Sequence, residues 1–181
     1  LIVSRGLGDV YKRQVQEKEE RLLLNGKWDL YYHLPHDKQW DISSYKHIAN
    51  DIGSLDELIA LNENIPEEII KHCMLFVMRA GITPMWEDIK NRDGGCFSFK
   101  VANRIVHEVW KNLFYSLCGE TLSENSKYNK NINGITISPK KNFCIIKIWL
   151  INCDLQDPSI LTHIPNLSKQ GCLFKKHAPE F

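Results

Sequence analysis

The sequence predicts an α+β fold in which helices cover one face of an antiparallel β-sheet. Short segments with alternating apolar residues recur along the chain, interrupted by only three or four helical segments and joined by connections of hairpin length. The longest helical segment is apolar on one side only, which is typical of a helix that covers a sheet. With 181 residues, 43% of them hydrophobic, the chain can form one compact core, so we expect a single domain.

The start of the chain requires separate treatment. Residues Ser4 to Gln14, SRGLGDVYKRQ, resemble the in-frame translation of a transposon-type sequencing-library adapter. We therefore interpret residues 1–14 as a disordered artefact and expect the domain to span residues 15–181, with the natural N-terminus missing. Gly6 to Gly8 do not predict a nucleotide-binding loop, because no strand precedes them and no third glycine follows at the required spacing.

The composition narrows the function classes. Lys and Arg number 23 and Asp and Glu 22, a net charge of +1, which excludes the strongly basic surface of proteins that wrap duplex nucleic acid. No apolar run approaches the roughly 20 residues that cross a bilayer, so we expect a soluble cytoplasmic protein, with the nucleus as a second location. The six cysteines lack C-x-x-C and zinc-ligand spacing, which favours buried reduced thiols.

The first half of the chain predicts two strands and two helices. Trp28 to His33, WDLYYH, alternates and is rich in aromatic residues, which favours a strand. Ser54 to Glu57 form a capping box that opens a helix, because the serine and glutamate side chains can each satisfy a backbone amide of the first turn. Pro66 to Glu68 open a short second helix, and Cys73 to Arg79 is typical of a buried strand.

The second half predicts one long helix and four strands. Asn103 is expected to cap the helix, and Gly119 to end it. A polar stretch from Lys127 to Asn133 is interpreted as a mobile loop, and Asp157 begins a further helical turn. The predicted strands are Gly95 to Val101, Ile132 to Lys140, Phe143 to Leu150 and Gly171 to His177, the middle two forming a hairpin.

The five tryptophans fall into two groups. Trp28, Trp110 and Trp149 lie in apolar periodic segments, where core packing is the ordinary interpretation. Trp40 and Trp86 lie among polar and charged residues in predicted loops, where an indole is harder to bury. Two indole faces together favour a flat cation between them, by about 0.5 to 2 kcal/mol per contact.

Glu87 follows Trp86 directly and can read the edge of such a ligand. A carboxylate accepts two hydrogen bonds from an N–H/NH₂ edge, which is the pattern that guanine presents on its Watson–Crick side. It repels a base that presents acceptors there. Methylation at N7 gives guanine a positive charge, so this loop is suited to an N7-methylated guanine.

The segment Gly81 to Gly95, GITPMWEDIKNRDGG, closely resembles the cap-binding loop of the eukaryotic translation initiation factor 4E family. The resemblance extends over roughly Leu24 to His177, including LCGE at Leu117 to Glu120 and IIKIW at Ile145 to Trp149. It implies a curved antiparallel sheet backed by three helices on its convex face. It also implies a non-enzymatic monomer without a cofactor that binds the 7-methylguanosine cap of mRNA on the concave face and acts in translation initiation.

The resemblance also implies roles for individual residues around the base. Trp40 and Trp86 would stack on the two faces of the methylated guanine, and Glu87 would bind its N1 and N2. Trp149 matches the family's tryptophan that touches the methyl group.

The phosphate side departs from the family pattern. Lys140 matches one of the family's basic positions, whereas Cys96 and Ile145 stand at two others and cannot neutralise phosphate. Part of the phosphate-binding charge is therefore expected from nearby residues, namely Lys141, Lys147, Lys175 and Lys176.

The convex face also departs from the family. Family members bind the motif Tyr-x-x-x-x-Leu-hydrophobic of the scaffold factor 4G and of repressors there, and the matching partner-binding positions are Leu23, Leu55, Ile59, Lys111 and Tyr115. Ile59 replaces a tryptophan, while Lys111 and Tyr115 replace leucines. Altered or dedicated partner binding is therefore expected.

Three alternatives stay open at this point. A cap-binding translational repressor would occupy caps without engaging the usual scaffold factor, in keeping with the altered convex positions. A decapping hydrolase would need several clustered carboxylates to bind metal ions, and Glu87 with Asp88 alone does not provide them. The third alternative is a protein-interaction module in which the pair of tryptophans no longer binds a base. A cap analogue would not quench the tryptophan fluorescence of such a protein.

Overall fold

In the computed structural model, residues 22–179 are described, and the presumed adapter segment lies outside this range. Seven strands form one sheet in which every pairing is antiparallel, in the order β2-β1-β3-β5-β6-β4-β7. The strands are β1 (Leu23–His33), β2 (Lys46–Ser54), β3 (Met74–Arg79), β4 (Gly95–Ala102), β5 (Ile132–Pro139), β6 (Phe143–Leu150) and β7 (Leu173–Lys176). The predicted α+β class is confirmed, whereas the extent of the domain over 15–181 remains a prediction.

Helices lie on one side of this sheet. They are α1 (Leu55–Asn64), α2 (Glu67–His72), α3 (Val106–Cys118) and the single turn α4 (Ser126–Asn129). The capping box that opens α1 is confirmed, because the Ser54 hydroxyl accepts from the Glu57 amide at 3.3 Å and the Glu57 carboxylate accepts from the Ser54 amide at 3.1 Å. Over residues 22–179, no helix is long and apolar enough to span a membrane.

The alternation of side chains along the strands divides the interior into two clusters. Leu75 and Val77 of β3 belong to the large core under the helices, together with Trp28 and Trp110, which are completely buried as predicted. Phe76, between them in sequence, points to the opposite face. It joins a second, smaller cluster on the concave face that consists of Tyr31, Phe76, Met78, Ile82, Cys96 and Trp149. The concave face therefore has its own apolar floor.

Two local predictions are wrong. Asn103 does not cap the long helix, because a turn closed by the hydrogen bond from the Ile105 amide to the Ala102 carbonyl intervenes and α3 begins only after it. The stretch from Lys127 to Asn133 is not a mobile loop. Tyr128 is buried there in the short helix α4, whose first turn is capped by the Asn125 side chain. In both places tertiary contacts override a polar local sequence.

The sequence did not predict β2, which forms an edge of the sheet. Its residues are mostly polar and exposed, so it carries only a weak alternation signal. The predicted hairpin of β5 and β6 and the helical turn at Pro158–Ile160 are confirmed. All six cysteines are free, and Cys96, Cys118 and Cys144 are buried, while the other three are half-buried.

Candidate functional site

A cavity of about 640 Å³ opens on the concave face. Its lining brings together Trp40 from the β1–β2 loop, Trp86 and Glu87 from the β3–β4 loop, and Trp149 from β6. These are the four residues that the sequence predicts for base binding. They are far apart in the chain, and the sheet places them around one space.

The β3–β4 loop, which carries Trp86, is held together by hydrogen bonds from its own polar side chains. One oxygen of Asp88 accepts from both the amide and the hydroxyl of Thr83, each at 2.8 Å. The side-chain amide of the fully buried Asn91 donates to the carbonyls of Thr83 and Met85 at 2.9 and 2.8 Å, and its oxygen accepts from Asn133 at 2.9 Å. Each buried polar atom of Asn91 therefore has a partner, which gives this loop one defined conformation.

Two glycines let this loop return closely to the sheet. A Cβ atom on Gly94 would lie 1.8 Å from the Leu150 carbonyl oxygen. One on Gly95 would lie 2.6 Å from the Phe174 ring and 2.7 Å from the Lys175 carbonyl oxygen. No larger residue fits at either position without moving the backbone, so the glycine pair determines how closely the Trp86 loop approaches β6 and β7.

The opposite wall is held in a different way. Trp40 is 52% exposed, and its indole stacks on the imidazole of the buried His33, with ring centroids 4.1 Å apart and an interplanar angle of 5°. The two His33 ring nitrogens lie 2.9 Å from the Leu34 carbonyl oxygen and 2.8 Å from the Gln39 carbonyl oxygen. His33 thus anchors both ends of the short segment that leads to Trp40.

Trp149 forms part of the floor. Its side chain is only 4% exposed, and its indole N–H donates to the Thr136 hydroxyl at 3.1 Å. It packs in the concave cluster with Phe76 and Met78. Trp149 therefore satisfies the core-packing interpretation and also lines the cavity.

The polar groups of the cavity carry both signs of charge. Lys147 lines it, with Nζ 5.9 Å from the centroid of the Trp86 ring. The Glu87 carbonyl accepts from the Arg92 guanidinium at 3.1 Å. Burial, together with the charge of Glu87, raises the pKa of Tyr45 to about 12, so this phenol stays protonated at neutral pH. A flat cation with an N–H edge is complementary to these walls.

The lysines predicted to bind phosphate occupy different places. Lys147 is the one that lines the cavity among the described residues, whereas Lys140 and Lys141 lie in the exposed turn after β5. Lys175 is exposed on β7 and pairs with Cys96 of the neighbouring strand. Its charge and that of Lys147 both act on the Cys96 thiol, whose pKa burial nevertheless raises.

Four of the five predicted partner-binding residues lie on the helices that cover the convex face, Leu55 and Ile59 on α1 and Lys111 and Tyr115 on α3, whereas Leu23 begins strand β1. Leu23 is 78% exposed and pairs with the residue that caps α1, on which Leu55 and the 42% exposed Ile59 follow one turn apart. From α3, the Tyr115 hydroxyl donates to the Glu63 carboxylate at 2.6 Å, and Lys111 forms an ion pair with the same carboxylate. This polar bridge ties α1 to α3.

Sequence reasoning missed several residues of the cavity. The additional lining side chains include Tyr45, Met74, Phe76, Thr136 and Ser138. The period of two within β3 and within β5 places Met74 with Phe76 and Thr136 with Ser138 on one face. That signal was present in the sequence, but it does not say which face is concave.

Comparisons with known proteins identify the family of this chain. The family model described as "Eukaryotic initiation factor 4E" matches residues 23–177. The chain is 33% identical to eukaryotic translation initiation factor 4E of Candida glabrata over 158 residues, which cover 84% of this chain and 70% of that protein. It is 30% identical to the Saccharomyces cerevisiae factor over 131 residues, covering 70% of this chain and 60% of that relative.

Solved structures show the same fold. A complex of C. elegans eIF4E-3 with the 4E-binding protein Mextli and a cap analogue superposes with a TM-score of 0.70 at 19% identity, covering 87% of this chain and 93% of that one. Schistosome eIF4E complexed with m7GpppG and 4E-BP gives a TM-score of 0.67 at 22% identity, covering 75% of each chain. With the match of the family model over residues 23–177, this chain belongs to the eukaryotic initiation factor 4E family.

Proposed function

We propose that this protein binds the 7-methylguanosine cap of mRNA and acts in translation initiation. The observation that carries the proposal is the convergence of Trp40, Trp86, Glu87 and Trp149 on one cavity of about 640 Å³. Trp40 and Trp86 stack on the two faces of the cationic base, whose charge the indole faces favour. Glu87 accepts from N1 and N2, and Trp149 contacts the methyl group.

Lys147 is proposed to bind the phosphates, with Lys140 and Lys141 of the turn after β5 contributing further positive charge. Lys147 already lies within reach of the Trp86 ring at the cavity wall. Cys96 and Ile145 supply no charge, so few phosphate contacts are made. Electrostatic attraction accordingly contributes less to affinity than stacking does.

The known complexes among the structural neighbours support the ligand class. The C. elegans and schistosome proteins with which this chain shares its fold are complexes with a cap analogue and with m7GpppG, respectively. The relatives from two yeasts are translation initiation factors. The cap ligands of those complexes and the role of the two yeast relatives in translation initiation support a cap as the ligand of this cavity.

Quenching of tryptophan fluorescence tests the proposal directly. Titration with 7-methyl-GTP is expected to quench the emission of the slot tryptophans, and unmethylated GTP is expected to bind far more weakly, because only the methylated base carries the charge that favours stacking. Equal affinity for the two nucleotides would contradict the proposed function. Quenching that is unchanged in Trp86→Ala would contradict the site.

We also propose that the convex face binds a helical partner, either the scaffold factor 4G or a repressor, through a Tyr-x-x-x-x-Leu-hydrophobic motif. Ile59 offers an exposed apolar contact on α1, while the bridge from Glu63 to Lys111 and Tyr115 makes the neighbouring surface polar. A pull-down with a scaffold-factor peptide tests this. Clear binding supports an initiation role, whereas cap binding without peptide binding would favour a repressor.

A further inference from the structure

His177 connects the end of the sheet to the β3–β4 loop. It follows β7 directly, and its backbone amide donates to the Gly94 carbonyl at 2.9 Å. Its Nδ1 lies 2.6 Å from the Asn91 carbonyl oxygen. Because Asn91 organises the loop from within, these two bonds extend the same network to β7.

The imidazole of His177 also contacts two of the slot tryptophans. It lies nearly parallel to the Trp86 indole, with ring centroids 5.8 Å apart and an interplanar angle of 14°. It is tilted by 51° against Trp149, with centroids 4.7 Å apart. One ring thus supports both the wall and the floor of the cavity.

The surroundings of this ring favour its neutral form. A carbonyl accepts from Nδ1, so the single proton of the neutral ring lies there, and the buried Nε2 has no hydrogen-bond partner among residues 22–179. Burial lowers the pKa of His177, the charge of Lys147 lowers it further, and the hydrogen bond to Asn91 offsets only part of this effect. The ionisable groups on the surrounding elements are Glu87, Asp88, Lys90, Arg92 and Asp93 of the loop, Cys96 and Lys100 of β4, Cys144 and Lys147 of β6, and Lys175 and Lys176 of β7.

We propose that His177 is a positioning residue that holds Trp86 against the base, and that its neutral form is required for tight binding of a cationic ligand. This inference rests on the proposed cap-binding function. A cationic base stacked on Trp86 brings its charge near the imidazole, so a proton on His177 adds a repulsive interaction between like charges. It also places a buried N–H where no acceptor is available.

The direction of the pH effect follows from this arrangement. As the pH falls through the pKa of His177, which lies below the ordinary value of about 6.5, the protonated fraction rises and affinity for the cationic base falls. Linkage is reciprocal, so ligand binding must lower the pKa of His177 by the same free energy. If this shift is about one pKa unit, affinity falls by at most about tenfold across the transition.

NMR titration of the wild-type protein tests the inference without any substitution. The His177 Cε1–H resonance is followed between pH 7.5 and acid pH with and without 7-methyl-GTP. We expect a midpoint below that of an exposed histidine, and a further decrease when the ligand is bound. An identical midpoint in the free and bound protein would overturn the proposal.

His177→Phe provides the second test, because phenylalanine keeps a flat ring but cannot donate to Asn91 or titrate. The matched control is His163→Phe, which makes the same change at an exposed position outside the cavity lining. At each pH, the affinity of the wild-type protein for 7-methyl-GTP is divided by the affinity of the variant. The protonation of the ligand itself affects both affinities equally and therefore cancels in this ratio. We expect weaker binding by His177→Phe at pH 7.5 and a ratio that declines toward acid pH, while the control ratio stays constant.

Cap binding and the role of His177 are tested by different outcomes. If the wild-type protein does not bind 7-methyl-GTP at pH 7.5, the proposed function is wrong. If it binds and both affinity ratios stay constant with pH, cap binding stands and the role of His177 is wrong.

Discussion

Trp86 and Trp40 line the same cavity, but the chain holds them differently. The loop of Trp86 is held by hydrogen bonds from the Asn91 side chain, and Trp86 itself is half-buried. Trp40 is 52% exposed and relies on one stacked neighbour, His33. The wall of Trp86 is therefore preorganised and the wall of Trp40 more open. Under the proposed function we expect the preorganised wall to contribute more to specificity, since fixed polar groups discriminate better than groups that must be ordered on binding.

The largest expected effect concerns the preorganised wall. Glu87→Gln keeps the shape of the side chain but replaces one acceptor oxygen with a donor, so the edge of the base meets a mismatched group. We expect affinity for 7-methyl-GTP to fall by about 100-fold, in keeping with the loss of one charged partner in a buried pair. Isothermal titration calorimetry measures this, and a loss below about threefold would mean that Glu87 does not read the base.

The next effect compares the two indoles directly. Each base–aromatic contact contributes about 1 to 3 kcal/mol by alanine substitution, so Trp86→Ala should weaken binding by about 30-fold. Trp40→Ala should cost less, because an exposed indole must lose more freedom when it stacks. Fluorescence titration of both variants with 7-methyl-GTP measures the two losses of affinity. A larger loss for Trp40→Ala would mean that the more open wall contributes more to binding.

The free energy of unfolding should fall more when the wall of Trp86 is disturbed than when the wall of Trp40 is disturbed. Asn91→Ala leaves several buried groups of the β3–β4 loop without partners and should lower the free energy of unfolding by about 2 kcal/mol. His33→Phe preserves the stack on Trp40 and loses only its contacts to two carbonyls, for which we expect about 1 kcal/mol. Urea unfolding compares the two variants, and equal losses would show that both walls are held equally firmly.

The smallest effect concerns phosphate. Lys147→Met should reduce affinity for 7-methyl-GTP by about threefold and flatten the dependence of log affinity on log salt concentration. Lys127→Met, at an exposed position on α4, is the matched control and should change neither quantity. A steep salt dependence that survives Lys147→Met would locate the phosphate-binding charge elsewhere, with Lys140, Lys141 and Lys175 as the next positions to substitute.

Much of this protein could be predicted because its signals are local. The alternation in β1, the capping box at Ser54 and the apolar stripe of α3 each depend on residues a few positions apart, and each is found in the structure. The exposure of Trp40 also followed from its polar neighbours. The mostly polar strand β2 carries too little alternation to be recognised from sequence.

Only the tertiary structure decided how these pieces meet. Asn91 and His177 are 86 positions apart, and no local pattern links them, yet their hydrogen bond joins the Trp86 loop to β7. The period of two in β6 places Trp149 on one face, but only the position of the helices makes that face the concave one. The sequence by itself determined which side chains are suited to a cationic base, and the packing of the sheet determined that they line one cavity, because that cavity joins segments far apart in the chain.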